Sequence, residues 1–182
     1  MNIFYLHEDP QICAQQHVDK HVVKMILEYA QLMSTAHRVL DGTELTALSK
    51  SGRRQKIWFL KDERDTTIYK ATHMNHPSAK WTRHCMSNYM WLFEMWTHLL
   101  DEYKYRYGKE HACARLIGYL AQPPKNISTA YKFSAPWRAM PDQFKFDRTH
   151  PNYTVESYRA YYNGAKSGIF KWKNRPTPEW VE

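Results

Sequence analysis

Hydrophobic residues recur every three or four positions along the first quarter of the chain, which is the spacing of a helix with one buried face. The pair Asp9 and Pro10 is typical of a helix start, and the pair Asp41 and Gly42 is typical of a helix end. The pattern therefore predicts one long helix between these pairs. Its buried stripe consists of Val18, Val22, Met25, Ile26, Tyr29, Met33, Ala36 and Leu40.

A second long helix is predicted from His76 and Pro77, where proline again stands near the first turn, to Tyr107 and Gly108. Its apolar stripe is rich in aromatic residues, and such a stripe is more typical of a packed core than of a ligand cage. We expect the two long helices to pack on each other. The stripe consists of Trp81, Cys85, Tyr89, Leu92, Trp96, Leu99 and Tyr103.

The remaining segments predict shorter elements. Residues 43–64 read as an exposed basic loop followed by a short helix, residues 112–120 as a helix, and Thr154 as the N-cap of a last helix. Residues 122–144 contain four prolines and predict an irregular surface loop. The fold expected is a single mainly α domain over 1–182, a compact bundle of two long helices plus shorter helices.

Composition adds a charge argument to this picture. The net charge is +8, the isoelectric point is about 9.3, and ten histidines add further cationic capacity. Such an excess favours a polyanionic partner, because each Lys or Arg that faces a phosphate releases condensed counterions. We expect the partner to be nucleic acid, DNA rather than RNA. The oligomeric state stays open.

Cysteine usage and hydropathy bear on the compartment. The three cysteines form no CxxC pair and cannot all be bridged, which favours a reducing compartment. No apolar run approaches the length of a membrane span, and the first residues do not resemble a signal peptide. The expectation is a cytoplasmic protein that does not associate with membranes.

The polar face of the first predicted helix is the strongest candidate for chemistry. His17, His21, Lys24 and Glu28 follow one another at intervals of four, three and four residues and therefore share a face. They fit an acid/base and phosphate-binding set, or histidines that only bind neighbouring loops. A third alternative is a metal site, in which His17 and His21 gain a third ligand from one distant histidine. The histidines considered for that position are His37, His73 and His76.

A second cluster surrounds the start of the second predicted helix. Free N–H groups at a helix start, together with Lys and Arg side chains, suit a phosphate group. The alternative is simple capping by Asn75 with solvated charges around it. The cluster consists of His73, Asn75, His76, Lys80 and Arg83.

A third cluster lies near the end of the chain, where aromatic and basic residues alternate. Cations contact phosphates and aromatic faces stack on bases, so this mixture suits a nucleic acid with exposed bases. The sequence has no Gly-rich phosphate loop, GxSxG elbow or zinc-ribbon spacing, which excludes those enzyme classes. The candidates for nucleic-acid contact are Arg138, Tyr158, Tyr161, Tyr162, Lys166, Lys171 and Trp172.

Three segments of the chain resemble the pyrimidine-dimer DNA glycosylases, the helical family of the phage endonuclease V type. The opening MNIFYLHEDPQICAQQHVDKH is similar to the extended start and QH-bearing first helix of that family. The NHP before the second long helix and the segment YRAYYNGAK near the end also resemble family members. The resemblance covers about a third of the chain, and it implies a helical fold and action on an extruded damaged or modified base in DNA repair.

The resemblance implies a mechanism that needs no cofactor. In the family, the N-terminal α-amine attacks C1′ of the sugar and forms a Schiff base, and β-elimination then cleaves the strand. A glutamate seven residues after a histidine stabilises the cationic intermediate. An α-amine has an ordinary pKa of about 8, so an appreciable fraction is unprotonated at neutral pH.

Two placements of the family's histidine are compatible with the sequence. Pairing His21 with Glu28 keeps the interval of seven, whereas pairing His17 keeps the QH motif but puts Lys24 where glutamate is expected. We favour Glu28. The family exposes a small residue after methionine removal, whereas the bulky Asn2 predicts that Met1 stays and supplies the amine, with Lys24 as the alternative amine.

The leading expectation is therefore a DNA glycosylase and AP lyase with Met1, His17, His21, Lys24 and Glu28 at its catalytic centre. One alternative is a non-catalytic module on the same fold that binds nucleic acid or protein. The other is a metal-dependent hydrolase that uses His17 and His21 as ligands.

Overall fold

Helices dominate the structure, a computed structural model that describes residues 1–49 and 51–182. Within those residues the only sheet is a two-stranded hairpin, so the expectation of a mainly α protein is confirmed. Short 3₁₀ turns lie at Ala112–Leu116, Asp142–Phe144 and Ser167–Ile169. The other elements are α1 (Pro10–Gln16), α2 (Asp19–Asp41), β1 (Thr43–Leu48), β2 (Arg54–Phe59), α3 (Arg64–Thr67), α4 (Pro77–Thr82), α5 (Met86–Tyr107), α6 (Ile117–Leu120) and α7 (Tyr153–Lys166).

The first long helix starts where predicted, since Asp9 caps α1 and Pro10 is its first residue, but its continuity was predicted wrongly. His17 and Val18 are extended and separate α1 from α2. The physical reason is Arg106 on α5, which is 1% exposed and donates to the carbonyl oxygens of Gln15 at 2.8 Å and His17 at 2.9 Å. A buried guanidinium thus satisfies the carbonyl groups that the break leaves without helical partners.

The second long helix is also broken. Cys85 is fully extended, with φ −154° and ψ 162°, and separates α4 from α5. The break is held by hydrogen bonds to its own neighbours and to the following loop. Asn88 donates to the carbonyl of Trp81 at 3.2 Å, and the amide of Met86 donates to the carbonyl of Ser128 at 2.9 Å.

Residues 43–64 differ from the prediction, because they form the antiparallel hairpin of β1 and β2 instead of a loop and a short helix. Trp58 is the residue of the hairpin that packs inward, at 8% exposed, and Arg38 donates to its carbonyl at 2.9 Å. Gly52 has φ +75° at the turn. The mainly α protein therefore contains one small sheet that the sequence did not predict.

Two further helices differ from the predictions in their bounds. The segment predicted as a helix over 112–120 is a 3₁₀ turn followed by α6. The last helix starts two residues earlier than predicted, because Asn152 precedes it with φ +54° and Thr154 is a buried residue of the first turn. Most of residues 122–144 is irregular, as expected from its prolines.

The core forms where α2 packs on α5 and where the N-terminal segment lies against both α2 and α7. Ile3, Phe4, Tyr5 and Leu6 are at most 5% exposed although they belong to no helix or strand. The amide of Phe4 donates to the hydroxyl of Tyr29 at 3.2 Å. Among the described residues, no helix combines the length and the apolar character needed to cross a membrane.

Candidate active site

The first two residues are held in a fixed position by groups from distant parts of the chain. Asn2 donates to the carbonyl of Ala139 at 2.8 Å and accepts from the hydroxyl of Tyr158 at 3.0 Å. The Met1 side chain is 4% exposed, whereas the residue as a whole is only partly buried, so its main chain supplies most of the exposure. The bulky Asn2 is thus an anchor, and it fixes the terminal amine at the surface.

The amine of Met1 lies beside a carboxylate of α2. Its nitrogen is 3.8 Å from Oε2 of Glu28, and the other carboxylate oxygen, Oε1, is 3.2 Å from Nζ of Lys24. Glu28 is 15% exposed, whereas Lys24 is 68% exposed. Three of the five predicted catalytic residues therefore meet at one carboxylate, and two primary amines share it.

His76 lies near this site, since the charges of the Met1 amine and of Glu28 both act on its ring. It precedes α4 and accepts from the amide of Ser78 through Nδ1 at 3.2 Å, so in the neutral ring the proton is on Nε2. Burial lowers its pKa, the positive charges of the Met1 amine and His73 lower it further, and Glu28 acts in the opposite direction. We name the group Met1, Lys24, Glu28 and His76 the amine cleft.

His17, by contrast, belongs to the core. It is 0% exposed, and its two ring nitrogens bond with the carbonyl of Cys13 at 2.8 Å and the hydroxyl of Tyr29 at 3.0 Å. Burial lowers its pKa to about 4. Because a substrate cannot reach this ring, we correct the prediction and remove His17 from the candidate catalytic residues.

His21 is also largely buried, at 7% exposed. Its ring stacks on Phe4 with 4.3 Å between centroids, and Nδ1 is 2.6 Å from the hydroxyl of Tyr162. Burial lowers its pKa to about 3, and the charges of Lys166 and Lys24 act in the same direction. The ring is therefore neutral near pH 7, and its contacts position Phe4 behind the amine cleft.

The metal hypothesis finds no ligand set in the described part of the chain, where no three His, Cys, Asp or Glu side chains are grouped to hold an ion. His37, one of the proposed third ligands, is buried and bonds with the hydroxyl of Tyr89 at 2.8 Å and with Arg64 at 2.8 Å. The geometry of this region is that of an internal hydrogen-bond network.

The cluster before α4 is divided by the structure. His73, Asn75 and Lys80 are exposed, and His73 has φ +46°. Capping falls to His76 and not to Asn75. Arg83 is partly buried and donates to the carbonyl of Met74 at 2.7 Å, so its guanidinium braces the turn.

The aromatic residues near the chain end are also divided. Tyr158 and Tyr162 are 0% exposed, because they pack around the N-terminal segment, and neither can stack on a base as predicted. Tyr161 is partly exposed, and Nζ of Lys166 lies 5.0 Å from the centre of its ring. Phe4 packs beside this pair, with 6.4 Å between its ring centroid and that of Tyr161.

The remaining predicted contact residues lie elsewhere. Lys171 is exposed, and Trp172 is partly buried and donates to the carbonyl of Gln16 at 2.9 Å. Arg138 donates to the carbonyl of Phe146 and lies over the ring of Tyr153 at 4.8 Å. Sequence reasoning missed a group of exposed rings around the Pro-rich loop, of which His84 lies before α5 and the others lie on the loop. These rings are His84, Tyr131, Phe133 and Trp137.

Comparison of the chain with protein-family models, with curated proteins and with solved structures gives no match. The amine cleft is accordingly interpreted from its own residues and contacts.

Proposed function

We propose that this protein is a DNA glycosylase with AP lyase activity, in which the α-amine of Met1 is the nucleophile and Glu28 is the catalytic carboxylate. The observation that carries the proposal is the distance of 3.8 Å between the Met1 nitrogen and Oε2 of Glu28. Imine-forming enzymes need an amine that is fixed, open to solvent and close to a group that accepts protons. The amine cleft combines these three properties.

The reaction begins when the amine lone pair forms a bond to C1′ of the sugar. The bond from C1′ to the base breaks at the same time, and the base leaves with the electron pair and gains a proton. Loss of the amine proton and opening of the sugar ring give an imine, and removal of a proton from C2′ then expels the 3′ phosphate. Glu28 accepts the amine proton and stabilises the cationic imine electrostatically.

Lys24 is the competing amine, since its nitrogen is 3.2 Å from the same carboxylate. The Lys24 side chain is 68% exposed, whereas Met1 is anchored through Asn2, so the α-amine is the nucleophile that is held in a fixed position. We assign Lys24 to phosphate contact.

Positive charge around the cleft supports a nucleic-acid substrate. Lys24, Lys80 and Lys166 project from α2, α4 and α7, and the chain carries a net charge of +8. Cations on several elements attract a phosphate backbone. Reaching C1′ requires the nucleotide to leave the base stack, at a cost of a few kcal/mol.

The test is to incubate the protein with an oligonucleotide that contains an abasic site and to add borohydride, which reduces an imine to a stable amine. We expect a covalent adduct, and peptide mapping by mass spectrometry should place it on residue 1. The proposal requires Met1 to be the terminal residue of the mature protein, which an intact mass measurement checks first. The matched control is Lys24→Gln, which should still give the adduct.

Two outcomes would overturn the proposal. One is an adduct on Lys24 that disappears in Lys24→Gln, and the other is the absence of any adduct or cleavage with abasic, dimer-containing and base-modified substrates. In the second case, binding that persists after Glu28→Gln would favour the non-catalytic module instead.

A further inference from the structure

Three aromatic rings form an exposed surface where α4 ends and the irregular loop passes it. Tyr131 is 56% exposed and Trp137 is 42% exposed. The ring of His84 stacks on Tyr131, with 4.7 Å between centroids and 28° between planes, and lies 6.0 Å from the ring of Trp137. We name His84, Tyr131 and Trp137 the aromatic platform. Rings of this size left in water stabilise the fold little, and grouped exposed apolar surface ordinarily marks a binding site.

A pocket with cationic walls adjoins this platform through Trp137. It has a volume of about 230 Å³ and is lined by Arg138, Lys145, Arg148 and Tyr153 as well as by Trp137. Lys145 pairs with Asp142 at 2.7 Å, whereas Arg138 and Arg148 have no carboxylate partner within 4 Å in the described chain. We name Arg138, Lys145 and Arg148 the cationic pocket. Asp142 pairs with Lys145, and the charges of both arginines act on the nearby Asp147, so three cations stand against two carboxylates and a net positive charge remains.

The loop that carries both features is tied to the amine cleft. Asn2, which fixes the terminal amine, donates to the carbonyl of Ala139, and Tyr158 donates to the carbonyl of Trp137 at 3.3 Å. His76 stands at the start of α4 and His84 just beyond its end, and the six residues of α4 span about 9 Å. A single strand of nucleic acid is long enough to contact both sites.

We propose that the aromatic platform and the cationic pocket bind one unpaired nucleotide of a DNA strand, with the base stacked on the platform and its phosphate in the pocket. The inference rests on the proposed function, because it names the form of the DNA that this surface holds beside the amine cleft. Stacking requires an open base face, which an unpaired base offers and a base within a duplex does not. Arginine forks match phosphate oxygens in geometry and in charge.

An acidic peptide is the other ligand that a cationic pocket attracts. It would leave the three rings without a function, because carboxylates gain nothing from an aromatic face. A nucleotide uses the rings and the cations together. The choice between these ligands is therefore decided by whether the rings and the cations both contribute to DNA binding.

The test measures the binding of a fluorescently labelled oligothymidylate by anisotropy, with an unmodified strand on which no lyase step occurs. We expect Trp137→Ala and Arg148→Gln each to weaken binding by at least about fivefold, the lower end of what loss of one stacked base costs. The matched controls are Tyr105→Ala and Lys109→Gln. Tyr105 is 53% exposed near the other end of α5, about 28 Å from Met86, and Lys109 is exposed just beyond that end. Both controls should stay within about twofold.

A duplex substrate and a second variant of Trp137 test whether the platform stacks on an unpaired base. A fully paired duplex should lose less than about twofold in affinity with Trp137→Ala, and Trp137→Phe, which keeps a ring, should restore most of the binding to the single strand. Equal losses in Trp137→Ala and Tyr105→Ala, or equal losses for duplex and single strand, would overturn the proposal. Unchanged binding in both Trp137→Ala and Arg148→Gln would overturn it as well, and would favour the acidic peptide.

The two proposals fail separately in these experiments. Glu28→Gln should bind the unmodified strand as the wild type does, since the platform lies outside the amine cleft. If borohydride traps no imine while the Trp137→Ala loss is present, the lyase mechanism falls and the platform stands. If an imine forms on Met1 but the variants of the platform bind normally, the reverse holds.

Discussion

The two halves of the predicted helix face differ in their exposure to solvent. We call the buried pair His17 and His21 the interior end, and we call Lys24 and Glu28 the open end. His17 lies in the break before α2 and His21 lies in its first turn, and both are at most 7% exposed, whereas Lys24 and Glu28 follow within two turns of His21 and belong to the amine cleft. All four were predicted from a single pattern of spacing. Spacing places side chains on a common face, but the neighbours that cover the face decide which of them can meet a substrate.

The side chains that bury His17 and His21 come from distant parts of the chain. Phe4 stacks on His21 and lies edge-on to His17, so the N-terminal segment fills this part of the face. The first residue of the same segment is Met1, whose amine lies beside Glu28. One strand-like segment thus buries the two histidines and delivers the amine, which explains why the halves of the face have opposite roles.

The largest effect is expected at the open end. Glu28→Gln should lower the rate of strand cleavage at an abasic site by about 10²- to 10⁴-fold, because it removes the group that accepts the proton. The free energy of unfolding should change by less than about 1 kcal/mol, since the carboxylate is paired at the surface. Single-turnover cleavage and urea unfolding measure the two quantities.

The control is Glu110→Gln, which removes another carboxylate that pairs with a lysine, at 3.1 Å from Lys104. It should cleave at the wild-type rate. Equal rates for Glu28→Gln and the wild type would show that the cleft does not perform the chemistry.

A substitution at the interior end should lower the stability of the fold and leave the cleavage activity nearly unchanged. Arg106 donates to the carbonyls of Gln15 and His17 and pairs with Glu102 at 3.0 Å. Arg106→Met leaves the two carbonyl groups buried without this donor, and Glu102 keeps only Arg175 as its cationic partner, so we expect the free energy of unfolding to fall by about 3–5 kcal/mol. Urea unfolding measures the loss.

Cleavage by the folded fraction of Arg106→Met, measured well below its melting temperature, should stay within about threefold of the wild type. A loss of cleavage without any loss of stability would break the comparison, because it would connect the interior end directly to the chemistry.

The sequence was informative where a local rule decides the structure. The Asp9 and Pro10 pair fixed a helix start, and the apolar stripes predicted the buried faces of α2 and α5. Both helix breaks were missed because the groups that hold them, such as Arg106, are far away along the chain. The hairpin was missed because its strands alternate weakly and expose most side chains.

The residues of the candidate site fall into the same two groups, those that the sequence predicted correctly and those whose burial it did not predict. Met1, Lys24 and Glu28 were selected by sequence, through a resemblance and a spacing of seven. The burial of His17 and Tyr158 was not predictable, because residues 3–6 cover them without a periodic pattern that would announce it. Three-dimensional contact, not residue type, separates the two groups.

The interior end should also give stability its pH dependence. Burial lowers the pKa of His17 to about 4 and that of His21 to about 3. A histidine in an unfolded chain titrates near pH 6.5. Between about pH 6.5 and pH 5 the unfolded chain therefore binds more protons than the folded chain, and the free energy of unfolding falls as the pH falls.

Each such histidine contributes up to about 1.4 kcal/mol per pH unit in that window. Carboxylates paired with arginine add their part only at lower pH, because the exposed Asp62, with its pKa lowered to about 2 by its hydrogen bond with Arg64, differs from an unfolded aspartate below about pH 5. Urea unfolding at several pH values should show a smaller slope for His21→Gln than for the wild type. Identical slopes would mean that the His21 ring is not held neutral by burial.

The smallest effect is expected for Lys24, which belongs to the open end but is 68% exposed. Exposed ion pairs are worth up to about 1 kcal/mol, so Lys24→Gln should slow cleavage by less than about tenfold. Most of that loss should lie in DNA affinity and should shrink as salt is added, because a phosphate contact acts through counterion release. Single-turnover cleavage at low and high salt separates the two terms. If the rate at saturating DNA instead falls by two orders of magnitude, the amine of Lys24 takes part in the reaction, and the open end contains two functional amines in place of one.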